Sequence, residues 1–168
     1  MLKLSLAALA LLAAACGKDG HAAAKGGDDL AATPPAPPAD CGHAVCGSNF
    51  FVDTTPGADC VVGATCNLTV KLVATGQFHI NDDYPYKFIA DDTPGVEFLG
   101  ADAAGKKTFS KAASNWEKQD QKSGAMTVAF RAADKGTKGV GGLFKLSVCS
   151  AQTCQLEQQR IQATVAVR

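Results

Sequence analysis

The stretch Arg160-Ile161-Gln162-Ala163-Thr164-Val165-Ala166-Val167-Arg168 carries the pattern that decides the fold. Apolar side chains at its odd-numbered positions alternate with mostly polar ones at the even-numbered positions. An extended strand turns successive side chains to opposite faces, so this pattern predicts a strand with one buried and one exposed face. Along the chain the apolar residues shift near Glu157 from even-numbered to odd-numbered positions, which predicts a β-bulge at that point.

The same alternation occurs in three earlier stretches. Their apolar positions are Leu68, Val70, Leu72 and Ala74, then Met126, Val128 and Phe130, then Phe144, Leu146 and Val148. Shorter strands are predicted at 86–90, 96–99 and 106–109, while residues 111–124 favour either a helical turn at 112–117 or a loop. About seven or eight short strands separated by turn residues predict an all-β domain over 67–168, built as an antiparallel β-sandwich.

Residues 41–66 precede this alternation and contain four cysteines. They also contain the apolar run Asn49-Phe50-Phe51-Val52 and the turn signal Thr55-Pro56-Gly57. We expect an irregular segment that disulfides hold to the domain, with the apolar run docked on the core.

The amino terminus has the composition of an export signal. Lys3 is followed by an apolar run from Leu4 to Ala15 that stops at Cys16. About 12 residues form only about 18 Å of helix, well short of the hydrocarbon core of about 30 Å, so residues 1–15 are predicted to be a cleaved signal peptide. The run Ala13-Ala14-Ala15-Cys16 resembles the lipobox of bacterial lipoproteins. The resemblance implies that Cys16 is lipidated and becomes the first residue of the mature chain; the alternative is ordinary secretion with a free Cys16.

Residues 16–40 combine the lipidated cysteine with a Gly, Ala and Pro-rich stretch, which is typical of a flexible linker. The formal charge of the whole chain is zero and no basic stripe is present, so nucleic acid is not an expected partner. Membrane attachment is expected through the lipid anchor. In bacterial lipoproteins an aspartate after the lipidated cysteine signals retention at the inner membrane. Gly17 stands there instead, so the resemblance implies a periplasmic-side, outer-membrane location.

Six cysteines remain after Cys16 is assigned to lipid. They are Cys41, Cys46, Cys60, Cys66, Cys149 and Cys154. An even set in an exported protein indicates disulfides, and although fifteen pairings are possible, the three close pairs make local pairing the working hypothesis. The first four are predicted to be structural. A metal site at Cys41, His43, Cys46, Cys60 and Cys66 is the alternative, disfavoured because its cysteine spacings are longer than zinc sites prefer.

Cys149 and Cys154 flank a short loop between two predicted strands, which suits a cross-strand disulfide. Cys149 shares the parity of Lys145 and Ser147 on the outward face, so we expect its sulfur to be reachable by another protein's thiolate.

The run Gly142-Leu143-Phe144-Lys145-Leu146-Ser147-Val148-Cys149, with the loop to Cys154 and the final strand, resembles the end of the N-terminal periplasmic domain of the thiol:disulfide interchange protein DsbD. The stretch Phe78-His79-Ile80-Asn81 followed by Tyr84-Pro85-Tyr86-Lys87-Phe88 is similar to the same group. The resemblance covers 66–168 and implies an immunoglobulin-like sandwich. It also implies that Cys149 and Cys154 form a redox-active pair that exchanges with thioredoxin-like or other envelope proteins.

The alternative is a non-enzymatic structural or protein-binding lipoprotein with inert disulfides, because no helix N-terminus or adjacent cation is evident to lower a thiol pKa. Asp82-Asp83 and Asp91-Asp92 lack the spacing of a calcium loop and are predicted to be turn residues. His79 and Trp116 have no partner in reach by spacing. No hydrolase signature or nucleotide fingerprint is present, and no cofactor is expected.

Overall fold

The computed structural model describes residues 41–168. The predicted signal peptide at 1–15, the lipidation of Cys16 and the linker at 16–40 lie outside the described residues. Residues 41–168 form strands joined by turns and contain no helix, and therefore none long and apolar enough to cross a membrane.

Eleven strands make up this part of the chain. They are β1 (Val45–Cys46), β2 (Phe50–Pro56), β3 (Cys66–Ala74), β4 (His79–Ile80), β5 (Lys87–Ala90), β6 (Val96–Phe98), β7 (Thr108–Ser110), β8 (Trp116–Lys118), β9 (Ser123–Ala132), β10 (Gly136–Cys149) and β11 (Cys154–Val167).

The strands form two antiparallel sheets that share one core. The first has the order β1-β2-β3-β9-β6, with β8 also paired to β9; the second has the order β11-β10-β5-β7, with β4 also paired to β10. The prediction of an all-β antiparallel sandwich is confirmed. The strands number more than the expected seven or eight because β1, β2, β4 and β8 are not among those predicted. β1 and β4 have only two residues each, too few to show a period of two.

The core forms where the period-two pattern is strongest. In β3 the even-numbered residues from Cys66 to Ala74 are buried while Asn67 and Lys71 are exposed. The Trp116 ring on β8 crosses between the sheets: it stacks on Tyr86 with ring centroids 4.0 Å apart and lies 6.1 Å from Phe144 of β10. This aromatic contact joins the two sheets next to the carboxyl end of β10.

The expectation of an irregular segment at 41–66 is wrong for its central part. Phe50–Pro56 is a regular strand that pairs with β3 along its whole length, from Phe50 opposite Ala74 to Pro56 opposite Leu68. The expected docking on the core is correct, because Phe50 and Val52 are buried. Only two of the seven residues supply the buried face, which is too short a signal for periodicity to separate from a loop.

The predicted bulge near Glu157 is absent from the β10–β11 hairpin. The register runs without interruption from Gly136 opposite Val167 to Cys149 opposite Cys154. The parity of the sequence changes because Leu156 points to solvent, with 67 % of its surface exposed, while the polar Glu157 turns to the inner side and is half-buried. At this end of β11 the apolar residue is on the exposed face and the polar residue is on the inner face, so the sequence pattern does not report the faces of the strand.

Residues 111–124 contain no helical turn. A turn at 111–114 places Ser114 at φ 58°, and the chain then enters β8. The three shorter predicted strands are all present, with ends that differ by one or two residues.

Candidate thiol-disulfide site

The six described cysteines form three local disulfides, as predicted. Cys41 bonds to Cys46, Cys60 to Cys66 and Cys149 to Cys154, with Cα atoms 6.5, 4.9 and 4.0 Å apart. The cysteines considered as metal ligands are thus bonded to one another. Within residues 41–168 no three His, Cys, Asp or Glu side chains cluster where they could hold a metal ion.

Cys149 and Cys154 face each other across the turn of the β10–β11 hairpin. Inside the turn the Ser150 amide donates to the Thr153 carbonyl at 2.8 Å, and the Ser150 hydroxyl accepts from the amides of Gln152 and Thr153, each at 3.2 Å. Opposed residues in an antiparallel ladder alternate between hydrogen-bonded and non-hydrogen-bonded pairs. Because Ser150 and Thr153 form a hydrogen-bonded pair, Cys149 and Cys154 form a non-hydrogen-bonded pair, the type in which Cα atoms approach most closely. Ser150 therefore fixes the loop that holds the disulfide.

The two cysteines differ in exposure, and the expectation that Cys149 is reachable is wrong. Cys149 is only 7 % exposed, whereas Cys154 is exposed. The reason is that β4 pairs along the other side of β10 and places His79 opposite Cys149, so that Cys149 lies between two strands. Of the two cysteines, Cys154 is therefore the one that presents surface to an attacking thiolate.

The segment that follows β4 covers the outward face of β10. The Tyr86 hydroxyl donates to the Ser147 carbonyl at 2.6 Å and accepts from the Asn81 amide at 3.0 Å. The side-chain amide of Asn81 donates to the Ser147 hydroxyl at 3.1 Å. Tyr86 and Ser147 are both fully buried, and burial raises the pKa of the Tyr86 phenol well above its ordinary value. These contacts hold β10 two residues before Cys149.

Sequence reasoning missed His79 as a neighbour of the disulfide. Its backbone lies opposite Cys149, and residues directly opposite in an antiparallel pair carry their side chains on the same face of the sheet. Seventy positions separate the two residues in the chain, so only the pairing of β4 with β10 brings them together. The imidazole of His79 is exposed.

A second exposed disulfide lies at the same end of the sandwich. Cys41 is exposed and Cys46 half-buried, and β1, which contains Cys46, contacts β11. Asn49 also donates to Gln155, the neighbour of Cys154, at 3.2 Å.

Sequence reasoning also missed the contacts of His43. Its Nδ1 lies 2.8 Å from Asp53 Oδ1, and its ring stacks on Phe51 with centroids 3.8 Å apart. Ten and eight positions separate these partners from His43, and it is the β1–β2 turn that brings them together.

The third disulfide lies at the opposite end and is enclosed. Cys60 and Cys66 are 2 % and 3 % exposed, and the Arg168 amide donates to the Cys60 carbonyl at 2.9 Å, which joins this segment to the end of β11. Its position suits the structural role expected from the sequence.

The acidic pairs serve turns and surface ion pairs. Lys118 lies 2.7 Å from Asp82, Arg160 lies 2.7 Å from Asp91 and Lys107 lies 2.8 Å from Asp92. The hydrogen bond from Lys118 is the main reason why the pKa of Asp82 lies below its ordinary value.

No protein-family model and no curated protein matches this chain. Among solved structures it is similar to the cohesin module of a family 33 glycoside hydrolase from Clostridium perfringens ATCC13124, with 8 % identity, 71 % of this chain and 97 % of that one covered, and a TM-score of 0.38. It is also similar to AggA, the major subunit of aggregative adherence fimbriae type I from Escherichia coli, with 11 % identity, 75 % and 99 % covered, and a TM-score of 0.33. Both similarities are too distant to indicate a function, and the resemblance to DsbD stays a prediction.

Proposed function

We propose that this chain is a lipid-anchored protein of a bacterial cell envelope whose β-sandwich exchanges thiols and disulfides through Cys149 and Cys154. The observation that carries the proposal is the asymmetry of the hairpin disulfide, in which an exposed Cys154 is bonded to a covered Cys149. Exchange requires one sulfur that a partner's thiolate can reach.

The exchange begins when a thiolate of a thioredoxin-like partner attacks Cys154 Sγ. A mixed disulfide forms at Cys154, the bond to Cys149 breaks, and Cys149 leaves as a thiolate. The partner's second thiol loses its proton to solvent and attacks the partner's own sulfur in the mixed disulfide, which releases Cys154 as a thiolate. The partner is oxidised to a disulfide, and Cys149 and Cys154 are reduced by the same two electrons.

The anchoring part of the proposal rests on residues 1–40, with Cys16 lipidated and the linker giving the domain reach from the membrane surface, on the periplasmic side of the outer membrane. Intact mass spectrometry of the native protein tests it. We expect loss of residues 1–15 and a mass increase from acyl chains on Cys16, and Cys16→Ser should release the protein from membranes. An intact amino terminus would contradict export.

A redox titration against glutathione tests the exchange function. Each of the three disulfides is followed separately by alkylation and peptide mass spectrometry. We expect Cys149–Cys154 to have a potential above about −300 mV and the enclosed Cys60–Cys66 to lie below that value, as structural disulfides do. The double variant C149S/C154S controls for signal from the other pairs. A potential for Cys149–Cys154 as low as that of Cys60–Cys66 would contradict the proposal.

A second candidate function is protein binding without chemistry, and the observation that favours it is β11. This strand of 14 residues is the terminal strand of its sheet and pairs with β10 without a bulge. A long regular edge strand is a template onto which a partner's strand can add. Gln162 lies opposite Gly141 in a non-hydrogen-bonded pair, so its backbone amide points away from β10. Gln162→Pro should therefore abolish such binding while leaving the fold and the thiol exchange intact.

A further inference from the structure

We propose that Cys41–Cys46 is a second exchangeable disulfide, with His43, held by Asp53, as the group that gives a proton to the leaving Cys46 thiolate. This inference shares with the proposed function only the premise that the domain works in an oxidising compartment. It assigns a reactive role to a pair that the spacing of the cysteines marks as structural.

The geometry of the β1–β2 turn places the relevant side chains on one face. Cys46 is the register partner of Phe51, and such partners carry their side chains on the same face of a sheet. Asp53 follows two residues after Phe51 on the same strand and therefore shares that face. His43 stacks on the Phe51 ring and reaches Asp53, so its imidazole lies on the face that carries Cys46.

The hydrogen bond to Asp53 determines which nitrogen of His43 is free. An ionised carboxylate only accepts hydrogen bonds, so the Nδ1 atom at 2.8 Å from Asp53 Oδ1 carries a hydrogen. Nε2 is then the nitrogen left free to exchange a proton with a leaving thiolate. The ring stacking on Phe51 restricts the imidazole to this orientation.

Access distinguishes this disulfide from the enclosed one. Cys41 is exposed and Cys46 half-buried, whereas Cys60 and Cys66 are 2 % and 3 % exposed. Among the three disulfides, Cys41–Cys46 is also the one with a histidine–carboxylate pair on its own turn. A positioned imidazole beside the departing sulfur is a general acid that can protonate the leaving thiolate.

The step is balanced when the partner is a protein with two thiols. Its thiolate attacks Cys41 Sγ, the Cys41–Cys46 bond breaks, and the Cys46 thiolate takes the proton from His43 Nε2. The partner's second thiol then gives its proton to Nε2 and attacks the partner's sulfur in the mixed disulfide, which releases Cys41 as a thiolate. The partner loses two electrons and becomes a disulfide, while Cys41 and Cys46 gain them.

The test uses timed reduction of the purified full chain by dithiothreitol, with the opening of each disulfide followed by alkylation and peptide mass spectrometry. We expect Cys41–Cys46 to open at least tenfold faster than Cys60–Cys66. His43→Gln keeps a side chain that can donate to Asp53 but cannot supply a proton at neutral pH, and it should slow the opening of Cys41–Cys46 about fivefold or more while leaving Cys149–Cys154 unchanged.

The direction of this change separates proton transfer from a structural role. If His43 only holds the turn together, its replacement loosens the turn and Cys41–Cys46 opens faster. Faster or unchanged opening in H43Q, or opening of Cys41–Cys46 as slow as that of Cys60–Cys66, would overturn the proposal. Since each pair is followed separately, failure here is distinct from failure of exchange at Cys149–Cys154.

Discussion

Replacement of Tyr86 by phenylalanine tests the contacts that hold the hairpin strand next to the disulfide. The Tyr86 ring is fully buried and stacks on Trp116, so Tyr86→Phe keeps the ring packing and removes only the hydroxyl. That hydroxyl donates to the Ser147 carbonyl at 2.6 Å and accepts from the Asn81 amide at 3.0 Å. Both partner groups lose a hydrogen bond in the variant.

The magnitude follows from these two bonds. A lost hydrogen bond that leaves a buried partner costs about 1–3 kcal/mol. The Asn81 amide retains a long contact of 3.4 Å to the Ser147 carbonyl, which partly compensates both groups. We therefore expect a loss of about 2 kcal/mol in the free energy of unfolding, which lowers the melting temperature of a domain of this size by about 8 °C.

The assay is urea denaturation of the two proteins with all disulfides intact. Tyr84→Phe is the matched control, because Tyr84 is half-buried and its hydroxyl has no hydrogen-bond partner among residues 41–168. We expect the control to change stability by less than about 0.5 kcal/mol. Equal stability of Y86F and the natural protein would show that the hydroxyl does not hold β10, and the description of this end of the sandwich would be wrong.

Three further perturbations give distinct outcomes. Burial raises the pKa of the Tyr86 phenol in the folded protein. The stability that the neutral phenol contributes should therefore be complete below the unfolded phenol pKa of about 10 and be lost as the pH rises further. Denaturation at alkaline pH should show this loss, and Y86F should lack it. The pKa of Asp120 lies below its ordinary value of 3.8, mainly because the Ser123 hydroxyl donates a hydrogen bond to the carboxylate. The stability that the ionised carboxylate contributes should therefore be present above pH 3.8 and be lost as the pH falls through the lowered pKa. Acid denaturation of Asp120→Asn should show a weaker dependence of stability on pH. In Gly142→Ala the new Cβ would lie 2.3 Å from the Ile89 carbonyl oxygen, so the melting temperature should fall by an amount equivalent to about 2–3 kcal/mol.

Periodicity predicted the strands whose inner face is apolar and whose outer face is polar. Leu68, Val70 and Leu72 are fully buried, as are Met126 and Val128, because one side of each strand meets the opposite sheet. Close spacing also predicted the pairing of all three disulfides. Alternation and close cysteine spacing depend only on neighbouring residues in the chain, so they can be interpreted without knowledge of the sheet topology.

The accessibility of the candidate site could not be predicted in the same way. Alternation assigns a residue to a face of its strand, but it does not show what covers that face. Cys149 and Ser147 lie on the outward face, as expected, and are nevertheless buried because β4 and the segment after it return over β10. The position of His79 beside Cys149 depends on the same long-range pairing. Such features require the register between distant strands.

The most direct test of the exchange function is reduction of the full chain by a reduced thioredoxin-like protein, compared with reduction by dithiothreitol. The enclosed Cys60–Cys66 pair serves as the internal reference in both reactions. Exchange at an exposed Cys154 predicts that the protein reductant opens Cys149–Cys154 well ahead of Cys60–Cys66. It also predicts that a reductant lacking its second cysteine stays bound to Cys154 as a mixed disulfide, with Cys149 released as the free thiol. Opening of Cys149–Cys154 no faster than Cys60–Cys66, with no mixed disulfide formed by the reductant that lacks its second cysteine, would contradict the account.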